Sequence, residues 1–227
     1  MDTPAPRSTR TLTPLVLVFL LSMTGCFSLG RDAPPQQHYV LGGSDASAAA
    51  RALATPSTQG AQELEGGHVI GIRSVQVADY LASPFIVVRR GAYEIGFSDY
   101  HRWGENLGRA MNRTVAAALA ARAPAHRIEG APWPSGTSPD VLVQVKVLRF
   151  EGVVARTSAD GESGAHLLAT WEVLGALDGA VLARGTTDVW SGGWVPDDFD
   201  GLVRLLDASL DTLAAELARG LEQVLTP

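Results

Sequence analysis

Residues 141–147 read Val-Leu-Val-Gln-Val-Lys-Val, an alternation that is typical of a strand with one buried face. The four valines share one face of the predicted strand, and Leu142, Gln144, Lys146 and Leu148 lie on the other. Further along the chain, Asp178-Gly179 separates two more β-rich segments and predicts a hairpin, since both turn positions favour positive φ. We therefore predict an antiparallel meander of residues 141–154, 166–177 and 180–189.

Two amphipathic helices are predicted, one before the meander and one after it. The first runs from His101 to Arg122, where apolar side chains recur every four residues behind a Ser98-Asp99 cap. The second carries an apolar stripe over residues 199–221. The acidic residues 197–200 lack the alternating ladder of a calcium loop, so they predict an N-terminal helix cap.

Shorter strands are predicted in the N-terminal half of the chain. They are rich in β-branched and aromatic residues and cover residues 38–41, 69–77, 85–90 and 93–97. No second polar linker separates two independent cores. The sequence therefore predicts a fold of the α/β (α+β) class, with one layered domain in which two long amphipathic helices cover a mixed or antiparallel sheet.

Composition excludes several functional classes. The chain has 227 residues, a formal net charge of −6 and 46% hydrophobic residues, which argues against disorder and against a general nucleic-acid binder. One cysteine cannot form an internal disulfide, and the five histidines lack the spacing of a metal site. No Gly-x-Ser-x-Gly elbow or phosphate-binding glycine loop is present. We therefore predict no catalytic residue, no metal ligand and no cofactor.

The N-terminus has the pattern of a secretory signal. Arg7 and Arg10 precede an apolar run over residues 15–21, which is much shorter than the roughly 20 residues that span a bilayer. The following Leu-Ser-Met-Thr-Gly-Cys, residues 21–26, resembles a bacterial lipobox, with Met23 where leucine is more usual. The alternative is a buried structural cysteine behind an ordinary signal peptide.

Cys26 is therefore the predicted lipidation site. Two or three acyl chains, such as palmitate, make a stable anchor at about 0.8 kcal/mol per buried CH₂ group. The predicted organisation is a signal peptide over residues 1–25, a lipidated tether over 26–37 and one domain over 38–227. Phe27, rather than Asp, follows the cysteine, which favours the outer membrane, facing the periplasm.

Four side chains are candidates for contact with a protein partner or with lipid. Arg89 and Arg90 end a predicted strand, and their alternative role is that of a solvated strand end. Trp190 and Trp194 flank a Gly-Gly pair and could form an exposed contact surface. The alternative for the two tryptophans is that both cap the core under the last helix.

Several short motifs occur together behind the lipobox. They are Tyr39-Val40-Leu41, Tyr80-Leu81, the strand from Pro84 to Arg89, and Arg102-Trp103. In this order they resemble the ABC-type transport auxiliary lipoprotein family, which includes paraquat-inducible lipoproteins. The resemblance covers roughly residues 39–225, and the insertion-like stretch 43–67 departs from it.

The resemblance implies a non-enzymatic role in the cell envelope. Members of this family are outer-membrane lipoproteins that face the periplasm and work with MCE-domain periplasmic proteins and inner-membrane transport components. The implied task is to dock such an assembly, or to receive lipid from it, with membrane lipid held through the acyl chains of Cys26. The sequence is also compatible with a homo-oligomer.

Two other classes are compatible with the same sequence, because fold does not decide function. One is a periplasmic lipoprotein that regulates a cell-wall enzyme through protein contact. The other is a lipoprotein hydrolase whose catalytic residues are distant in sequence.

Overall fold

The computed structural model describes residues 34–43, 67–155, 157 and 161–225. All of these except Pro34 belong to one unit, Pro35–Pro227. In chain order the elements are β1 (Gln37–Tyr39), β2 (Val69–Ile72), β3 (Gln76–Val77), a 3₁₀ turn (Asp79–Leu81), β4 (Phe85–Arg89), β5 (Ile95–Trp103), α1 (Leu107–Arg122), β6 (Arg127–Gly130), β7 (Val141–Val153), β8 (Gly164–Gly175), β9 (Val181–Gly192) and α2 (Phe199–Leu225).

The long strand β7 organises a nine-stranded mixed sheet. Along one edge it pairs in parallel with β2, then β3, then β4. Along its other edge it pairs antiparallel with β8, which pairs antiparallel with β9. Beyond β4 the sheet continues through antiparallel β5 to β1, which is parallel to β5. The predicted mixed sheet and the meander are confirmed.

Both helices cover the same face of this sheet. In β7 the valines at 141, 143, 145 and 147 are buried, whereas Lys146 is exposed on the other face. α2 packs over β8 and β9, and α1 packs against α2 and over β3 and β6. Burial of one face of each strand against the helices explains the period-two pattern of the sequence.

The β8–β9 turn differs from the predicted two-residue hairpin. Residues 176–180 connect the strands, and the Gly175 amide donates to the carbonyl of Ala180 across a distance of 2.9 Å. Gly179 has a φ of 68°, whereas Asp178 does not adopt positive φ. The longer loop needs positive φ at the glycine alone, so the prediction of two such positions was wrong.

The first helix begins later than predicted. Residues 101–103 belong to β5, where they pair with β1, and the helix starts at Leu107 behind an Asn106 cap. The side chain of Asn106 accepts a hydrogen bond from the Arg109 amide at 3.0 Å. The predicted Ser98-Asp99 cap was therefore wrong, although Trp103 is buried as expected.

Other boundaries also differ from prediction. The predicted strand over residues 69–77 is interrupted between β2 and β3, and β6 was not predicted at all. The second helix is confirmed and reaches Leu225. At its start the side chain of Asp198 accepts from the Gly201 amide at 2.9 Å, which confirms the predicted cap.

The residues that follow β1 are fixed to the helices. The side chain of Leu41 is buried, and the Gly42 amide donates to Oδ1 of Asp207 on α2 at 2.8 Å. Gly42 has a φ of 72°, in the left-handed region that glycine tolerates best. The first described segment is thus attached both to the sheet edge and to α2.

Candidate functional site

The four candidate contact residues lie at one end of the sheet. A row of paired residues crosses β4, β7, β8 and β9 at this end: Arg89, Val153, Gly164 and Gly192. Arg90 directly follows the row, and Trp190 and Trp194 lie two residues on either side of Gly192. The fold thus brings together four side chains from segments about 100 residues apart in sequence.

The first described strand, β1, begins in the half of the sheet that contains this end. β5 is antiparallel to β4 and therefore begins where β4 ends. β1 is parallel to β5, with Gln37 opposite His101, so β1 points away from the end of β4. We call this the tether end: the ends of β4, β7 and β9 together with loops 90–94 and 193–198.

A buried ionic cluster lies just inside the tether end. Glu151 on β7 has a fully buried side chain, and Arg89 on β4 donates from Nε to its Oε1 at 2.5 Å. The hydroxyl of Tyr80 lies 2.9 Å from Glu151 Oε2 and 3.0 Å from the Leu148 carbonyl oxygen. The hydrogen bond to Glu151 raises the pKa of Arg89. Arg89 is therefore tied into the sheet rather than presented to solvent.

Sequence reasoning did not single out Glu151. The signal was present, because one carboxylate interrupts the apolar run of Phe150 and residues 152–154 within a predicted strand. A buried carboxylate requires a charged or hydrogen-bonding partner. Here Tyr80 and Arg89, which both belong to motifs that carry the family resemblance, supply it.

The Tyr80 hydroxyl makes the stability of the fold sensitive to high pH. Burial, with the nearby charge of Glu151, raises the pKa of Tyr80 to about 12 from an ordinary value of 10.0. The folded state therefore favours the protonated phenol, and its contribution to stability is complete below pH 10 and lost as pH rises towards 12. We expect the free energy of unfolding to fall over this interval.

Urea unfolding at a series of pH values measures this effect. The Tyr80→Phe variant should lose stability at neutral pH, because Glu151 loses a hydrogen bond, but should show a shallower decline above pH 10. Equal slopes for the two proteins would show that Tyr80 is not the titrating group.

Arg90 and its neighbours form the outermost loop of the tether end. The Arg90 amide donates to the Glu94 carbonyl at 3.0 Å and closes the turn between β4 and β5. The guanidinium of Arg90 lies over Gly96, where an added Cβ would be 3.3 Å from Cζ. At the tip of this loop Tyr93 is fully exposed. Sequence reasoning did not predict Tyr93 as a candidate contact residue.

The two tryptophans have different environments. Trp194 is 5% exposed, packs on Gly152, and donates from Nε1 to the Asp198 carbonyl at 2.9 Å. Trp190 is 49% exposed on the sheet face that the helices leave open. The rings of Trp190 and His166 pack in a T-shaped arrangement with centroids 6.1 Å apart. Nε2 of His166 lies 2.8 Å from Oδ1 of Asp188. In the described chain Trp194 thus packs in the core, and Trp190 faces solvent.

The contact role of these four residues stays a prediction, and Cys26 lies outside the described residues. Of these four, Arg90 and Trp190 expose much of their side chains to solvent, whereas Arg89 and Trp194 do not. Over residues 67–155 and 161–225, no helix is long and apolar enough to cross a bilayer.

The fold brings two histidines together that are far apart in sequence. The rings of His68 and His126 have centroids 5.7 Å apart, and the His68 amide donates to His126 Nδ1 at 3.1 Å. Nδ1 of His68 lies 3.8 Å from Oδ2 of Asp140. Within the part of the chain that the structure describes, no three such side chains are placed to hold a metal ion.

Comparison with known proteins identifies the family. The family described as the ABC-type transport auxiliary lipoprotein component matches residues 50–218, well over half of the chain. This chain belongs to that family. The match begins inside the insertion-like stretch 43–67. It also includes the three residues of the buried ionic cluster, Tyr80, Arg89 and Glu151.

Solved structures support the fold of this family member. A Xanthomonas campestris protein is 18% identical with a TM-score of 0.58, over 70% of this chain and 85% of that chain. A second uncharacterized protein is 19% identical with a TM-score of 0.57, over 68% of this chain and 92% of that chain. None of the curated proteins matches the chain. These similarities support the layered fold and do not identify an activity.

Proposed function

We propose that this protein is an outer-membrane lipoprotein, anchored through Cys26, that serves an MCE-type intermembrane lipid transport system as a non-enzymatic component. In this role it docks the periplasmic end of the assembly or receives lipid from it. The observation that carries the proposal is its membership of a transport-auxiliary lipoprotein family. Its partners would be an MCE-domain periplasmic protein and inner-membrane transport components.

The geometry of the tether end supports a docking role. β1 begins in the half of the sheet where Arg90, Tyr93 and Trp190 are exposed. The opposite end of the sheet, at the β8–β9 turn, exposes Leu177. In the proposed orientation, this end faces away from the anchor. A domain with this layout can hold one end at a membrane and offer the other to a protein.

Affinity purification from crosslinked cells tests the proposal. The tagged full-length protein should recover an MCE-domain protein, and a Cys26→Ser chain should recover much less, because removing the acyl chains removes the anchor. The position of the protein in separated inner and outer membranes tests the location.

The same experiment separates the competing classes. Recovery of cell-wall synthases without any MCE-domain protein would overturn the transport role and favour a regulator of a cell-wall enzyme. Equal recovery of the MCE-domain protein by both chains would show that the interaction does not need the anchor.

A further inference from the structure

We propose that the tether end rests directly against the bilayer that holds the acyl chains, with Tyr93, Trp190 and Val195 in the headgroup layer. This inference rests on the proposed lipid anchor at Cys26. It adds an interaction surface, a lipid partner and an orientation of the domain that the anchor by itself does not specify.

The length of the tether limits how far the domain can move from the membrane. From Cys26 to Gln37 there are 37 − 26 = 11 residue steps, which span at most about 40 Å when fully extended. A flexible chain of that length has a typical end-to-end distance of about 20 Å. Gln37 pairs with His101, and the His101 ring stacks on Phe199 at the start of α2, with ring centroids 3.9 Å apart. β1 therefore begins in the half of the sheet that contains the tether end, and this half of the domain is held closer to the lipid than the half that contains the β8–β9 turn.

Exposed apolar side chains from separate loops converge at this end. Tyr93 is 101% exposed in the β4–β5 loop, Val195 is 66% exposed in the β9–α2 loop, and Trp190 is half-exposed near the end of β9. Tyrosine and tryptophan are enriched at membrane interfaces, where an apolar ring meets lipid while its polar edge stays hydrated. The Arg90 guanidinium in the same loop as Tyr93 can pair with a lipid phosphate.

The charges nearby limit the depth of insertion and select the headgroup. Asp197, Asp198 and Asp200 are exposed in and just after the β9–α2 loop. Carrying these carboxylates into hydrocarbon would be costly, so the contact stays at the headgroup level. Carboxylates attract the ammonium group of phosphatidylethanolamine and repel an anionic headgroup. The surface therefore fits a zwitterionic lipid better than phosphatidylglycerol.

The position of β1, to which the tether is joined, decides which end faces the lipid. The opposite end also exposes apolar side chains, namely Leu177, Val181 and Leu182 around the β8–β9 turn. α2 extends over 27 residues from the tether end, which corresponds to about 40 Å of helix along β8 and β9. The opposite end therefore lies farther from Gln37, the first residue of β1, than the tether end does.

Spin labels at two matched alanines test the orientation. Ala92 and Ala180 are both exposed in hairpin loops, the first at the tether end and the second at the opposite end. In the lipidated protein the sulfur of Cys26, the one cysteine of the sequence, is covalently bonded to the lipid. A nitroxide therefore attaches only to a newly introduced cysteine. The full-length Ala92→Cys and Ala180→Cys proteins are purified with their acyl chains and reconstituted into vesicles of phosphatidylethanolamine and phosphatidylcholine.

The measurement is the relaxation of each label by oxygen relative to relaxation by a water-soluble nickel chelate. We expect this ratio to be several-fold higher at position 92 than at position 180. Adding Tyr93→Ser to the Ala92→Cys protein should lower the ratio, as should replacing phosphatidylethanolamine with phosphatidylglycerol. Circular dichroism of each variant shows whether its fold is intact.

Each outcome decides between the proposals. If the protein floats with the vesicles but the ratio is equally low at positions 92 and 180, the anchor is retained and the proposed membrane contact is overturned. A higher ratio at position 180 overturns the orientation. A protein that carries no acyl chain and does not float overturns the proposed anchor, and this inference with it.

Discussion

Replacement of Glu151 by leucine is expected to lower the free energy of unfolding by about 3–5 kcal/mol, the largest effect among the single substitutions considered. The change leaves the Arg89 guanidinium without its carboxylate in a largely buried site, and the Tyr80 hydroxyl without one acceptor. An uncompensated buried charge costs far more than the ion pair itself contributes. Urea unfolding of the Cys26→Ser chain, followed by circular dichroism, measures the difference.

An exposed ion pair provides the matched control. Glu105 accepts two hydrogen bonds from Arg113, at 2.7 and 2.8 Å, but both side chains are partly exposed. Glu105→Gln should therefore cost less than about 1 kcal/mol. The double variant Arg89→Met with Glu151→Leu should regain much of the lost stability, since neither charge remains. A loss for Glu151→Leu no larger than that for Glu105→Gln would contradict the structural role.

The second large effect is expected for Gly185→Val on β9. Valine normally favours a strand over glycine, yet here we expect a loss of about 1–3 kcal/mol through overpacking. A Cβ at position 185 would overlap the ring of Trp171, and a Cβ at Gly220 on α2 would lie 2.7 Å from the same ring. Because the indole packs tightly against glycines on two elements, it has little room to move away from an added side chain.

A double-mutant cycle isolates this packing effect. Trp171→Leu will itself be destabilising, because it shortens a buried side chain. In that background, however, Gly185→Val should cost much less, or even stabilise the strand. Equal costs of Gly185→Val in both backgrounds would show that the indole does not exclude the valine.

The elements that sequence could predict are those with a long, single period. The alternating valines of β7 and the apolar stripe of α2 each persist over many residues, and both elements were predicted correctly. Residues 101–103 also fit the four-residue spacing of a helix, but pairing with β1 keeps them in β5. β6 has four residues and, among the described strands, pairs with β2 alone, so no local sequence pattern predicts it.

At the candidate site, sequence indicated residue types but not their environments. Arg89 and Arg90 are adjacent and chemically equal, yet the first is bound to Glu151 and the second is exposed. The register of β4 against β7 determines which of the two arginines faces inward. The pairing of β7 with β8 shifts between residues 147 and 149, and this shift helps to determine the face on which Glu151 lies. Such long-range register is not encoded in a local pattern.

The attachment of the first described segment has a mechanical consequence. If Cys26 is fixed in a membrane, any force between membrane and domain passes through the tether into β1. A pull along the β1 axis would load the hydrogen bonds to β5 together in shear rather than open them one by one. Behind them, buried Leu41 and the bond from Gly42 to Asp207 transfer the load to α2. The three-residue strand β1 would then resist extraction through these core contacts as well as through its own hydrogen bonds.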